Sequence, residues 1–263
     1  MRYFLELSYL GKNYNGWQVQ PNAPSVQAEI ERVLTTILRT KIEIIGCGRT
    51  DTGVHASEYF AHFDVENELP DYFLQSVNRL LPYDIAIHNA FQVADDAHTR
   101  FDATRRSYQY HLTAKKSPFD KDIATLIFNF DALNKEKMQE AAAVLLEYKE
   151  FMPFCKSNHD AKTLRCDLYR SEWEWDLENK KAIYHISANR FLRGMVRLIV
   201  GMCLKVGEGK ITIEELREAL DKQILLKKAT SAKPEGLFLT EVFYEIVRTK
   251  IVSREYEVAN SLC

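Results

Sequence analysis

Nine consecutive residues, Gly48-Arg49-Thr50-Asp51-Thr52-Gly53-Val54-His55-Ala56, set one carboxylate between two glycines directly after a strand-like segment, Ile42 to Cys47. Glycines open backbone conformations closed to other residues and let a bulky ligand approach, while Arg49 offers a planar cationic fork beside the acid. The combination suits a reaction centre in which Asp51 is the reacting group. An Asp in a glycine-flanked turn equally caps nearby amides with its side chain, so residue types alone leave both roles open. Other catalytic patterns are absent: no G-x-x-x-x-G-K-[ST], no G-x-G-x-x-G after a strand and no H-E-x-x-H occurs, so triphosphate, dinucleotide and zinc chemistry have no support. The seven histidines are scattered, and His55, inside the run, is read as a support for the loop.

Elements that position this run follow from periodicity. Residues 2 to 9 alternate as a strand; Ser25 opens a helix with Ile30, Val33, Leu34, Ile37 and Leu38 at helical spacing; Ile42 to Cys47 and Ser57 to Val65 are predicted strands. Pro70 starts a second helix carrying Phe73, Val77, Leu80 and Leu81, and Ile85 to Gln92 returns as a strand. The order β-α-β-β-α-β is the ferredoxin-like split motif. The second half repeats it: a strand at Ser107 to Leu112, a helix at Asn134 to Glu147, a hairpin of Arg165 to Leu177 with Ala182 to Asn189, and a helix from Phe191 to about Gly207. A shorter helix opened by the capping box Thr212-Ile213-Glu214-Glu215 and a strand at Leu237 to Ile246 complete it. The expected fold is therefore α+β: two ferredoxin-like βαββαβ subdomains, residues 1–103 and 104–246, whose antiparallel sheets meet around a central cleft, with 247–263 as a charged C-terminal tail.

A chain of 263 residues with 46% hydrophobic residues can bury a real core. Its five cysteines are widely spaced, odd in number and without a C-x-x-C pair, which supports neither a disulfide framework nor a zinc ribbon and fits a reducing cytoplasm. Met1 leads straight into a strand pattern, and no apolar stretch approaches membrane-spanning length, so neither export nor a membrane is expected. The net charge of -2 argues weakly against a polyanionic partner, yet local charge differs. Residues 97–121 hold six cations against two acids, and residues 189–210 hold five against one, each a net +4. Charge alone reads these equally as solvated faces.

Further motifs arrive in a fixed order: Trp17-Gln18-Val19-Gln20-Pro21, Ser25-Val26-Gln27, Asn78-Arg79-Leu80-Leu81-Pro82, His98-Thr99-Arg100-Phe101 with Ala103, Tyr108-Gln109-Tyr110, Asn189-Arg190-Phe191, Met195-Val196-Arg197, Val200-Gly201 and Glu235-Gly236-Leu237. Together with the Asp51 run, they resemble the TruA-type tRNA pseudouridine synthases over residues 1 to about 246. The usual form of the first motif has Ala where Thr52 stands, a small residue for a small one. The resemblance implies a cofactor-free, metal-free isomerase that converts uridine to pseudouridine at positions 38, 39 or 40 of the tRNA anticodon stem-loop. It implies Asp51 as nucleophile at ribose C1' or uracil C6, Tyr108 against the target base, and Arg197 as the cation beside the acid. It also implies that Arg49 assists base flipping and that the enzyme is a homodimer gripping tRNA across both subunits. Arg100, Arg105, Arg106 and Arg193 are candidate RNA contacts.

Two alternatives remain on residue types. Arg197 on a helix equally faces solvent, and Tyr108, like Tyr110 two positions on, equally belongs to a core. A non-catalytic tRNA-binding or folding module would need neither a nucleophile nor its cation, and a glycoside hydrolase would need a second carboxylate at a set separation.

Overall fold

The structure is a computed structural model, and it describes residues 1–155, 163–226 and 228–245. The expected tail, 247–263, lies outside these residues. Along the chain run β1 (Arg2–Tyr9), α1 (Val26–Leu38), β2 (Ile45–Gly46), β3 (His55–Asp64), α2 (Phe73–Leu80), β4 (Ile85–Val93), β5 (Ala103–Thr113) and β6 (Thr125–Leu126). They are followed by α3 (Lys135–Val144), β7 (Leu168–Asp176), β8 (Lys181–Ala188), α4 (Met195–Gly207), α5 (Ile213–Asp221) and β9 (Leu237–Tyr244).

Local chemistry sets the helix ends. The Ser25 hydroxyl accepts from the Ala28 amide to start α1, and Thr212 and Glu215 close a reciprocal capping box at α5. Helix α1 then buries Val26, Ile30, Val33 and Leu34, each side chain contributing roughly 1.5–3 kcal/mol on removal from water.

Several expected elements come out shorter, the second helix at Phe73–Leu80 and the hairpin strand at Leu168–Asp176 among them, and two bear on the site. Ile42 and Ile44 are buried as the alternation requires, but their amides are taken by α1 side chains, Ile42 N by Thr35 Oγ1 at 3.1 Å and Ile44 N by Glu31 Oε1 at 2.9 Å. Its first residues therefore run along the helix, and pairing with β3 begins at Ile45 and Gly46, with Cys47 N donating to Phe60 O at 2.8 Å. Helix α4 starts at Met195 rather than Phe191, because Gly194 takes a left-handed conformation (φ 72°) that a continuous helix cannot include.

Nine strands among the described residues form one largely antiparallel sheet in the order β4-β1-β3-β9-β5-β8-β7, with β2 added beside β3 and β6 beside β5. Strands β3 and β9 meet through a short parallel contact, His55 opposite Phe238 and Ala56 opposite Leu239. Two apolar cores flank it. One gathers β1, β3, β4, α1 and α2 with Leu239, Val242 and Tyr244 of β9, and the other gathers β5, β8, α3, α4 and α5. Cys47 belongs to the first and Val54 to the second, so the loop bearing Asp51 spans the seam. Tyr108, at the middle of β5, packs against both. Among the described residues no helix is long and apolar enough to cross a membrane.

Candidate active site

The Asp51 loop is braced from several directions. Cys47 N donates to Phe60 O at 2.8 Å, Trp17 N donates to Thr50 O at 3.3 Å, and Thr50 Oγ1 shares a hydrogen bond with Tyr9 Oη at 2.9 Å. The Tyr59 hydroxyl donates to the Gly48 carbonyl, and the Trp17 indole stacks on Tyr59 with centroids 4.1 Å apart. Trp17 in turn is tied to α1, whose Gln27 amide donates to the Trp17 carbonyl. The N-terminal motif residues thus act as loop supports. His55 does the same: Nδ1 accepts from Gly11 N at 2.9 Å, Nε2 faces Glu235 O at 3.2 Å, and burial lowers its pKa.

The two glycines of the run differ. Gly53 has φ 78°, and a Cβ there would stand 3.0 Å from the Pro234 ring, so both backbone and space demand glycine. Gly48 has no positive φ, and a Cβ on it would meet nothing within 4 Å. The conformational role expected for Gly48 is therefore not required, and what its small size provides is open space beside the loop.

Arg197 reaches across the seam. Its Nη1 donates to Asp51 Oδ2 at 3.0 Å and its Nε to Ala232 O at 2.7 Å. Both charged side chains are mostly shielded, Arg197 17% and Asp51 22% exposed. The orientation depends on a crossing no periodicity announced: Ala232 N donates to Arg197 O at 2.9 Å, and a Cβ on Gly201 would lie 1.7 Å from Thr230 O. Only a glycine on α4 lets the 230–232 segment lie close enough to aim the guanidinium. The Val200-Gly201 pair was the sole sequence signal for this contact.

Tyr108 is half-buried, its ring edge-on to Phe191 at 5.2 Å and 89°. Burial pushes its phenol well above the ordinary range, opposed by Arg106 and reinforced by Cys47 and Asp51. The hydroxyl is therefore a neutral phenol, able to donate or relay a proton but not to stand as a phenolate base.

The remaining arginines separate. Arg49, Arg100 and Arg193 are exposed. Arg105 pairs with Glu241 at 3.2 Å and lies 4.9 Å from the Phe243 ring centre, turned toward β9. Arg106 is spent on backbone: Nη1 donates to Ala103 O at 3.2 Å and Asn189 O at 3.1 Å, Nη2 to Cys47 O at 2.9 Å and Arg100 O at 2.8 Å. One guanidinium thus ties the start of the Asp51 loop, the 98–103 segment and the turn after β8 to the strand that carries Tyr108. In this role Arg106 positions the site. Arg106→Ala is expected to lower Tm by about 5 °C and kcat at least tenfold, since charged hydrogen bonds contribute ~1.5–3 kcal/mol. The salt slope of tRNA affinity should stay unchanged; a slope reduced by about one would instead make it a phosphate contact.

The comparisons with known proteins agree in direction. A family model described as tRNA pseudouridine synthase matches residues 142–245. A Bacteroides thetaiotaomicron protein named tRNA pseudouridine synthase A is 46% identical over 92% of this chain and 90% of its own length. A Bacteroides fragilis protein of the same name is 44% identical over 92% and 96%, and one from a Hydrogenobaculum species is 37% identical over 92% and 99%.

Proposed function

The chain belongs to the tRNA pseudouridine synthase family, and from that premise we propose that it isomerises uridine to pseudouridine in the tRNA anticodon stem-loop, at positions 38, 39 or 40, with Asp51 as the nucleophile. The observation that carries the reading is the shielded Asp51–Arg197 pair on the seam between two cores. The pair sets an aimed carboxylate and its cation together where a bound nucleotide would shield both from water.

The reaction breaks the bond from ribose C1' to uracil N1, turns the base and joins C1' to C5, whose proton then leaves. Attack by Asp51 at C1' or at C6 divides this into covalent steps, and an isomerisation needs no external energy source or cofactor. A uridine in a stem must first leave the stack, at a cost of a few kcal/mol, and exposed Arg49 on the loop is suited to hold the vacated space. Arg100, Arg193 and, from the β9 side, Arg105 are the cations proposed to reach phosphates. tRNA transcript carrying tritium at uracil C5 tests the function. An isomerase releases tritium to water, a binding module releases nothing, and a glycosidase frees uracil.

Tyr108 is proposed to lie against the target base and to relay the C5 proton. Tyr108→Phe should bind tRNA normally and slow the step after covalent attack, whereas Tyr108→Leu should also lose base stacking of roughly 1 to 3 kcal/mol. Wild-type turnover by both variants would remove the tyrosine from the mechanism.

At the level of architecture, we read residues 1–103 and 104–246 as two ferredoxin-like subdomains, a reading supported by strand order: β4-β1-β3 with β2 beside β3 in one half, β9-β5-β8-β7 in the other. A cytoplasmic homodimer completes the proposal, because a stem-loop is long relative to one 263-residue chain; a monomeric mass by light scattering at full activity would reject the dimer.

A further inference from the structure

Between β4 and β5, Phe101 leaves 75% of its surface in water. An exposed phenylalanine forgoes the gain of taking its ring out of water. This loop is firmly held. His98 Nδ1 accepts the amides of Arg100 at 3.1 Å and Phe101 at 3.4 Å, and Asp102 Oδ2 accepts the His98 amide at 2.7 Å. The Tyr244 hydroxyl donates to Thr99 O at 2.6 Å, and Thr99 Oγ1 donates to Ile45 O at 2.9 Å. The ring itself is propped from within: His98 lies 4.3 Å from it, and buried His62 lies 4.7 Å behind His98. On the outside, the Arg100 guanidinium carbon is 5.8 Å from the Phe101 ring centre.

The platform is also joined to the reaction centre. Arg106 Nη2 donates both to the Arg100 carbonyl at 2.8 Å and to the Cys47 carbonyl at 2.9 Å, so the segment bearing Phe101 is tied to the start of the loop that carries Asp51. An aromatic face beside a cation is what a single-stranded nucleic acid meets favourably, since any base can stack on the ring while the cation answers its phosphate. A second copy of the chain fits less well, because this rim lies in a segment of net +4 and a symmetric contact would set like charges together.

We propose that Phe101, with Arg100, is a stacking platform for an unpaired base next to the one delivered to Asp51, and that it serves tRNA affinity rather than the chemical step. The inference rests on the tRNA reading above. The full chain carrying Phe101→Leu should bind tRNA about tenfold more weakly, with KM raised in proportion and kcat within twofold of wild type. Phe101→Trp, which keeps an aromatic face, should restore affinity. Neither change removes a charge, so the salt slope of binding should be unaltered, whereas Arg100→Ala should flatten it. Wild-type affinity in Phe101→Leu overturns the proposal, as does a fall in kcat at constant KM. A changed particle mass by light scattering with tRNA affinity intact would make the ring a contact between chains instead. If the wild type releases no tritium from C5-labelled tRNA while Phe101→Leu still weakens binding, the isomerase reading fails and the platform stands.

Discussion

Asp51→Asn is expected to lose isomerisation by a factor of about 10⁴ or more while tRNA affinity stays within a few fold of wild type. The amide has nearly the volume of the carboxylate and can still accept from Arg197 Nη1, so the loop contacts at Cys47, Gly48 and Thr50, none of which uses the side chain, should persist. What disappears is a nucleophile, because an amide oxygen does not form the covalent intermediate. The expected separation of binding from turnover is the informative part. Tritium release and tRNA affinity measured on the same preparation read both, and measurable pseudouridine from Asp51→Asn would overturn the assignment of the nucleophile.

Arg197→Ala should cost activity by about 10² to 10³ fold, the range seen when one directed charge or donor is taken from a reaction centre. The pair is one-fifth exposed on each side, so part of its strength is screened by solvent, and the accompanying loss of stability should be nearer 1–3 kcal/mol than the larger figure for a fully buried pair. Arg197→Lys keeps the charge but cannot serve Asp51 and the Ala232 carbonyl together through one rigid fork, and should recover only part of the rate. Activity near wild type in Arg197→Ala would dissolve the pairing.

Much of this arrangement was written locally. Apolar spacing located α1, α3 and the β7–β8 hairpin, and Ser25 and Thr212 marked helix starts with side chains that do cap them. These features depend on neighbours within a few residues, where a pattern of residue types and a backbone conformation constrain each other directly. Tertiary structure decided the rest because each outcome turned on a partner distant in the chain. Ile42 to Cys47 has a strand's alternation, yet α1 side chains take the amides of Ile42 and Ile44 and leave only its end for the sheet. Arg106 reads as a phosphate contact by charge, but four carbonyls from three separate segments converge on it. Arg197 could have faced water from its helix; it pairs with an acid 146 residues away because a glycine at 201 lets the 230–232 segment come close enough to turn the guanidinium inward. Residue type fixes which charge a side chain carries, and only the packing of remote segments determines what stands opposite it.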